Sequence, residues 1–206
     1  QSQVAQQVMP KTVPLVIYAN AFVVGAVLMG FEMLGSRYLF PYFGGGIGTW
    51  AALISTVLVA LTVGYLSGGA IVDRNPSSVV IAVAVALAAV YLAVTPPVAD
   101  AVMSSILESM GDGPVAILLA SAMLCLVPLT LLGTFSPVAV RLLVRSTDEV
   151  GRVAGLVYGI STFGNVLGVL FTTFYLIPEM GSRSITYLFA GILAVCAVSL
   201  FLVRKA

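Results

Sequence analysis

Residues 13–50 read VPLVIYANAFVVGAVLMGFEMLGSRYLFPYFGGGIGTW. The first part, 13–34, is an apolar run of spanning length, since crossing a bilayer takes about 20 such residues. The second part, 31–50, sets Glu32, Arg37, Pro41 and the triplet Gly44-Gly45-Gly46 before the next apolar run, which opens near residue 49. A few polar residues would close an ordinary turn, so this junction predicts more. Glu32 and Arg37 are expected to pair at the lipid boundary, and the glycines to permit a tight turn through φ values other residues avoid. Trp50, with Tyr38 and Tyr42, is expected in an aromatic belt.

The rest of the chain reads the same way. Of 206 residues, 60% are apolar and 8% charged, against about a quarter charged in a soluble domain. A soluble fold of this size cannot bury so much apolar surface, so the expected solvent is lipid. The sequence has no histidine, which excludes histidine metal sites and relays. Cys125 and Cys196 lie far apart inside apolar runs and read as small core residues. No basic run points to nucleic acid. No cofactor or metal is expected.

Six spans are predicted, at about 13–34, 49–71, 78–98, 114–134, 151–177 and 184–203, forming one membrane domain over 13–206 behind a polar tail at 1–12. That tail does not read as a signal peptide. Pro96-Pro97 is expected to end the third span and Pro178 the fifth, and Pro114 to open the fourth. Pro128 is expected to kink the fourth, its freed carbonyl either structural or lining a cavity. The segment after the third span, ADAVMSSILESMGDG (99–113), has an apolar helical face and is expected to lie flat on the membrane surface.

Lys and Arg in short loops set orientation. With both termini cytoplasmic, that side holds seven (Lys11, Arg74, Arg141, Arg145, Arg152, Arg204, Lys205) and the other side two (Arg37, Arg183). The expected location is the inner membrane of the cell.

The two halves resemble each other faintly. Arg37 and Arg141 each leave an apolar helix, and Gly48 and Gly151 follow about ten residues later. The helices those glycines open are glycine-rich in their second halves. Units of three helices in tandem must face opposite ways, so the expected fold is all-α, six helices in two inverted three-helix repeats.

Small residues recur at helical spacing in Gly64–Gly68, Gly155–Gly159 and Gly164–Gly168. Glycine lets helix backbones approach in lipid. These faces predict packing between the second and fifth helices, or a homodimer. Glu32, near one end of its span, needs a partner or water at that depth. It is either a structural carboxylate held by Arg37 or Arg183, or a binding carboxylate for a cationic or proton-coupled solute. Asn20, Tyr65, Tyr158 and Asn165 are polar groups within spans: interhelical glue, or the lining of a solute path. Asp73-Arg74 faces Arg141, Arg145 and Arg152 at the cytoplasmic end, as a static anchor or a gate latch. No phosphate-binding loop, nucleophile elbow or carboxylate pair occurs within a span.

Several motifs resemble those of the membrane domain of bacterial membrane-bound spermidine synthase-like proteins, also described as fused major-facilitator/spermidine synthase proteins. They are Arg37, Pro41-Tyr42-Phe43-Gly44, Thr49-Trp50, Gly64-Tyr65 through Asp73-Arg74, Ser136-Pro137, Arg141, Val150-Gly151-Arg152 and GLVYGISTFGNVLGVLFTTFYLIPEMGSR (155–183). The resemblance covers about residues 20–200. It implies a fold related to half of a major-facilitator transporter and an association with polyamines. In such proteins a soluble aminopropyltransferase domain follows the membrane part. Its nucleoside-binding segment and catalytic aspartates do not occur here, so no enzyme activity is expected of this chain. Two roles follow as expectations: transport of a small solute, or a membrane anchor for a soluble enzyme partner on the cytoplasmic side.

Overall fold

The computed structural model describes residues 12–203. The tail predicted at 1–12 therefore lies, but for Thr12, outside the described residues, as do Lys11, Arg204 and Lys205. Six helices among the described residues are long and apolar enough to cross a membrane: α1 Thr12–Phe43, α2 Ile47–Arg74, α3 Ser78–Met110, α4 Pro114–Leu143, α5 Thr147–Glu179 and α6 Ser182–Val203. The described residues contain no strand. The chain is an all-α, multi-pass membrane protein. Connections of a few residues alternate between two ends of the bundle. One end, near residues 12 and 203, is called the terminal end below; the other is the far end.

The helices are longer than the sequence predicts. At 1.5 Å per residue α1 runs about 48 Å, beyond the roughly 30 Å of hydrocarbon. The segment 35–43, read as part of a junction, continues α1, because Leu34, Gly35, Tyr38 and Leu39 keep its buried face going. The turn comes only at Gly44, whose φ of 71° is left-handed, and Thr49 Oγ1 donates to the Gly44 carbonyl. Gly45 and Gly46 do not need that freedom.

The segment 98–110 is likewise no separate surface helix. α3 runs through Pro96-Pro97 to Met110, since Leu92, Thr95, Pro96, Ala99, Met103 and Ile106 form one buried stripe across the prolines. That packing outweighs two missing backbone donors. α4 extends past residue 134 to Leu143, carrying Arg141 in its last turn. α5 opens at Thr147 rather than at Gly151, because Ser146 and Glu149 form a capping box.

Pro128 and Pro178 share a local structure. Each follows by two residues a stretch of π-helix, Ala122–Leu126 in α4 and Thr172–Leu176 in α5. In such a wide turn the carbonyl five residues back seeks the N–H that proline lacks. For Pro128 that carbonyl belongs to Met123, and the Tyr91 hydroxyl of α3 donates to it. The freed carbonyl is thus satisfied by a neighbouring helix.

The close contacts of the bundle correct the predicted glycine pairing. Gly64 and Gly68 of α2 do not face α5. A Cβ on Gly64 would sit 2.5 Å from the Thr130 carbonyl of α4, and one on Gly68 2.9 Å from Thr134. Gly164 and Gly168 of α5 press instead on the backbone of α1, at Phe22 and Ala26. Gly155 and Gly159 are exposed and meet nothing within 4 Å; the structure gives them no intramolecular partner.

These contacts define an internal register. Gly164 on Phe22 and Gly168 on Ala26 make α1 and α5 a parallel pair. Gly64 on Thr130 and Gly68 on Thr134 do the same for α2 and α4. Gly25 faces Ser161 and Asn165 in the first pair, and Gly133 faces Leu61 and Gly64 in the second. α3 packs on α6. Exchanging the first three helices with the last three turns one parallel pair into the other and leaves α3–α6 as itself. That is the contact pattern of an inverted three-helix repeat. The correspondence runs through Gly64/Gly164 and Gly68/Gly168, the glycine-rich second halves read from sequence, and adds Gly25/Gly133; the contacts do not carry the pairs Arg37/Arg141 and Gly48/Gly151.

Candidate functional site

Glu32 is the buried carboxyl among the described residues. It is 7% exposed, and no hydrogen bond or ion pair reaches it among the described residues. The predicted pairing with Arg37 does not form. Five residues on a helix amount to about 140° of rotation, so an inward Glu32 leaves Arg37 on the opposite side, where it is exposed. Nor does Arg183 reach Glu32: it pairs with Asp100 of α3.

Two glycines flank Glu32 on α1 and show which helices pack at its level. Gly30 admits Thr172 of α5 and Phe189 of α6, and Gly35 admits Leu53 of α2 together with Leu124 and Cys125 of α4. Thr172 belongs to one π-helical stretch, and Leu124 and Cys125 to the other. Both irregular turns therefore rest on α1 within a turn of Glu32.

Above Glu32, toward the far end, polar contacts tie α1, α3 and α6. Tyr38 and Thr186 hydroxyls hydrogen-bond at 2.8 Å, Tyr42 donates to Asp100 at 3.1 Å, and Asp100 holds Arg183. Tyr38 is buried rather than in an aromatic belt. Trp50 is 36% exposed at the start of α2. Sequence reasoning missed the Tyr38–Thr186 and Asp100–Arg183 pairs. The available signal was that Asp100 and Arg183 each lie beside the end of a span predicted from sequence, on the same side of the membrane.

The remaining path candidates do not converge on Glu32. Asn20, buried twelve residues earlier on α1, donates to the Val16 carbonyl at 2.8 Å and to Ser199 of α6 at 3.0 Å. The Asn165 amide, turned so that its nitrogen meets carbonyls, donates to Gly25 O at 2.8 Å and Ser161 O at 3.3 Å. Each amide nitrogen thus makes one bond within its own helix and one interhelical tie. Tyr65 and Tyr158 meet edge to face with centroids 6.0 Å apart, where α2 and α5 approach.

Tyr158 borders a cleft of about 420 Å³ near the terminal end, shared with Gly69, Asp73, Pro137 and Arg141. There Arg141 lies 3.8 Å from Asp73, both side chains well exposed, a contact that suits a static anchor as well as a latch. Arg74 and Arg152 are exposed and make no ion pair among the described residues. The larger cleft, about 600 Å³ between α1, α5 and α6, is walled by Phe22, Phe171, Phe174, Phe189 and other apolar groups; none of the polar path candidates lines it. Cys125 and Cys196 are free and buried, as expected. Among the described residues no cluster of three metal-ligating side chains occurs.

The fold and these contacts define a six-helix membrane bundle with, among the described residues, one unpartnered buried carboxyl. Comparison with protein families, with curated proteins and with solved structures returns no match.

Proposed function

We propose that the chain is a transporter-like membrane domain for a small cationic solute, with polyamines as the first substrate class to test. The observation that carries this reading is Glu32. A carboxyl buried at membrane depth is retained against a substantial electrostatic penalty, and the usual reason is a solute or ion that uses it. The exchange of α1–α5 with α2–α4 supports the reading, because inverted repeats are the plan of secondary transporters, with sites near their interface. The sequence resemblance to spermidine synthase-like membrane domains supports the polyamine class and a likeness to half of a major-facilitator transporter. Excess Lys and Arg at the terminal end supports cytoplasmic termini in an inner membrane. A half-transporter needs a second copy to enclose a path, and the open Gly155–Gly159 face of α5 is the surface such a homodimer would use.

A second reading has its own support. Asn20 and Asn165 are committed to structural hydrogen bonds, and the cleft of about 600 Å³ between α1, α5 and α6 is apolar. That suits a membrane anchor or assembly subunit for a soluble enzyme, such as an aminopropyltransferase, at the cytoplasmic end.

Uptake of labelled putrescine and spermidine into proteoliposomes separates the two. Saturable uptake that Glu32→Gln abolishes is the expected result. A folded chain that takes up neither leaves the anchor reading.

A further inference from the structure

We propose that Glu32 is a proton-binding site, its carboxyl held as the neutral acid where α1 meets α2 and α4. The argument is geometric. Gly30 faces Phe189 and Tyr38 bonds Thr186, so Glu32 lies between those levels, about one to two turns inside α6 from its start at Ser182. At that depth an ionised carboxylate requires a counter-charge, donors or bulk water. None of the described Lys or Arg side chains lies within 4 Å, and no described donor reaches it. Three residues further along α1, Gly35 packs against Leu53 of α2 and Leu124 and Cys125 of α4. Cys125 is the one ionisable side chain among them, and a thiol supplies no positive charge. On the other side of α1, Thr172 and Phe189 are neutral. A bound proton is the remaining way to remove the charge.

The carboxyl is nonetheless reachable. The buried side-chain oxygens that are both sealed and unpartnered belong to Ser121 and Thr173, not to Glu32. At 7% exposure Glu32 keeps a small opening to its surroundings, far short of the hydration a surface carboxylate has. This inference extends the transport reading by naming the proton as an ion that Glu32 binds. It does not need transport to occur: an anchor protein with this packing would hold the same proton.

The test reads the carboxyl directly. Dicyclohexylcarbodiimide, an apolar reagent, adds a protonated carboxyl across its C=N bond to give an O-acylisourea, which rearranges to a stable N-acylurea with no atom lost. Purified full-length protein is treated across a pH series and mapped by peptide mass spectrometry. The expected result is an adduct on Glu32 near neutral pH that falls away as pH rises, little on exposed Glu108, and none at position 32 in Glu32→Gln. An unmodified Glu32 in folded protein at about pH 6, or labelling no greater than that of Glu108, overturns the proposal. Wild-type mapping carries the decision, so a variant that fails to fold does not obscure it. Uptake can fail while the adduct forms, which separates this proposal from the transport reading.

Discussion

Gly164 and Gly159 are five positions apart on one helix and have opposite roles. A Cβ on Gly164 runs into the Phe22 backbone, whereas one on Gly159 meets open space. Gly164→Ala should therefore destabilise the protein by about 1–3 kcal/mol, the range for overpacking a close contact. Gly159→Ala should be neutral or stabilising by up to about 1 kcal/mol, because alanine is the better helix former. Thermal unfolding in detergent, with the two variants side by side, checks the sign of each. The sequence showed both glycines in the same i, i+4 pattern. What it could not show is which face of α5 meets a neighbour. Glu32 and Arg37 make the same point: their nearness in sequence suggested a pair, and helical rotation put them on opposite sides of α1.

At the scale of elements, the irregular turns ahead of Pro128 and Pro178 are the clearest case of chain chemistry meeting its neighbours. Each proline removes one donor, the helix widens, and in α4 the exposed carbonyl of Met123 is taken by Tyr91 from α3. Tyr91→Phe should cost about 0.6–2 kcal/mol, the range for an interhelical hydrogen bond in a membrane, with helix content unchanged. Pro128→Ala in the Tyr91→Phe background should recover part of the loss, because the restored N–H can serve a carbonyl from within the helix. Unfolding midpoints of the two single variants and the double variant form the cycle that decides this. Pro96-Pro97 shows the converse. The pair read as a stop, yet α3 continues because its buried stripe runs across both prolines. Propensity is a local term of a few kcal/mol, and a face of buried contacts on both sides outweighs it.

For the whole molecule, the inverted relation and the charge bias make a joint prediction. If the terminal end is cytoplasmic, Ser146→Cys, exposed between α4 and α5, should be shielded from a membrane-impermeant maleimide in intact cells and react once they are broken. Ser109→Cys, exposed at the far end of α3, should react in intact cells. The native thiols are buried and give a low background. The reverse pattern would invert the orientation and place the Tyr42–Asp100–Arg183 network on the cytoplasmic side.

Composition and apolar run length alone determined that this chain is a helical membrane protein of six spans, because a bilayer demands about twenty apolar residues per crossing and satisfies backbone groups only within the helix. Sequence also singled out Glu32, since a lone acid in an apolar run is conspicuous. Only the tertiary structure decided that α2 grips α4 while α5 grips α1, that Glu32 has no hydrogen-bond or ion-pair partner among the described residues, and that Asp100 rather than Glu32 holds Arg183. Those outcomes depend on which faces of the helices meet. In lipid that choice rests on close steric fit between small residues, a property of pairs of surfaces rather than of any one stretch of chain.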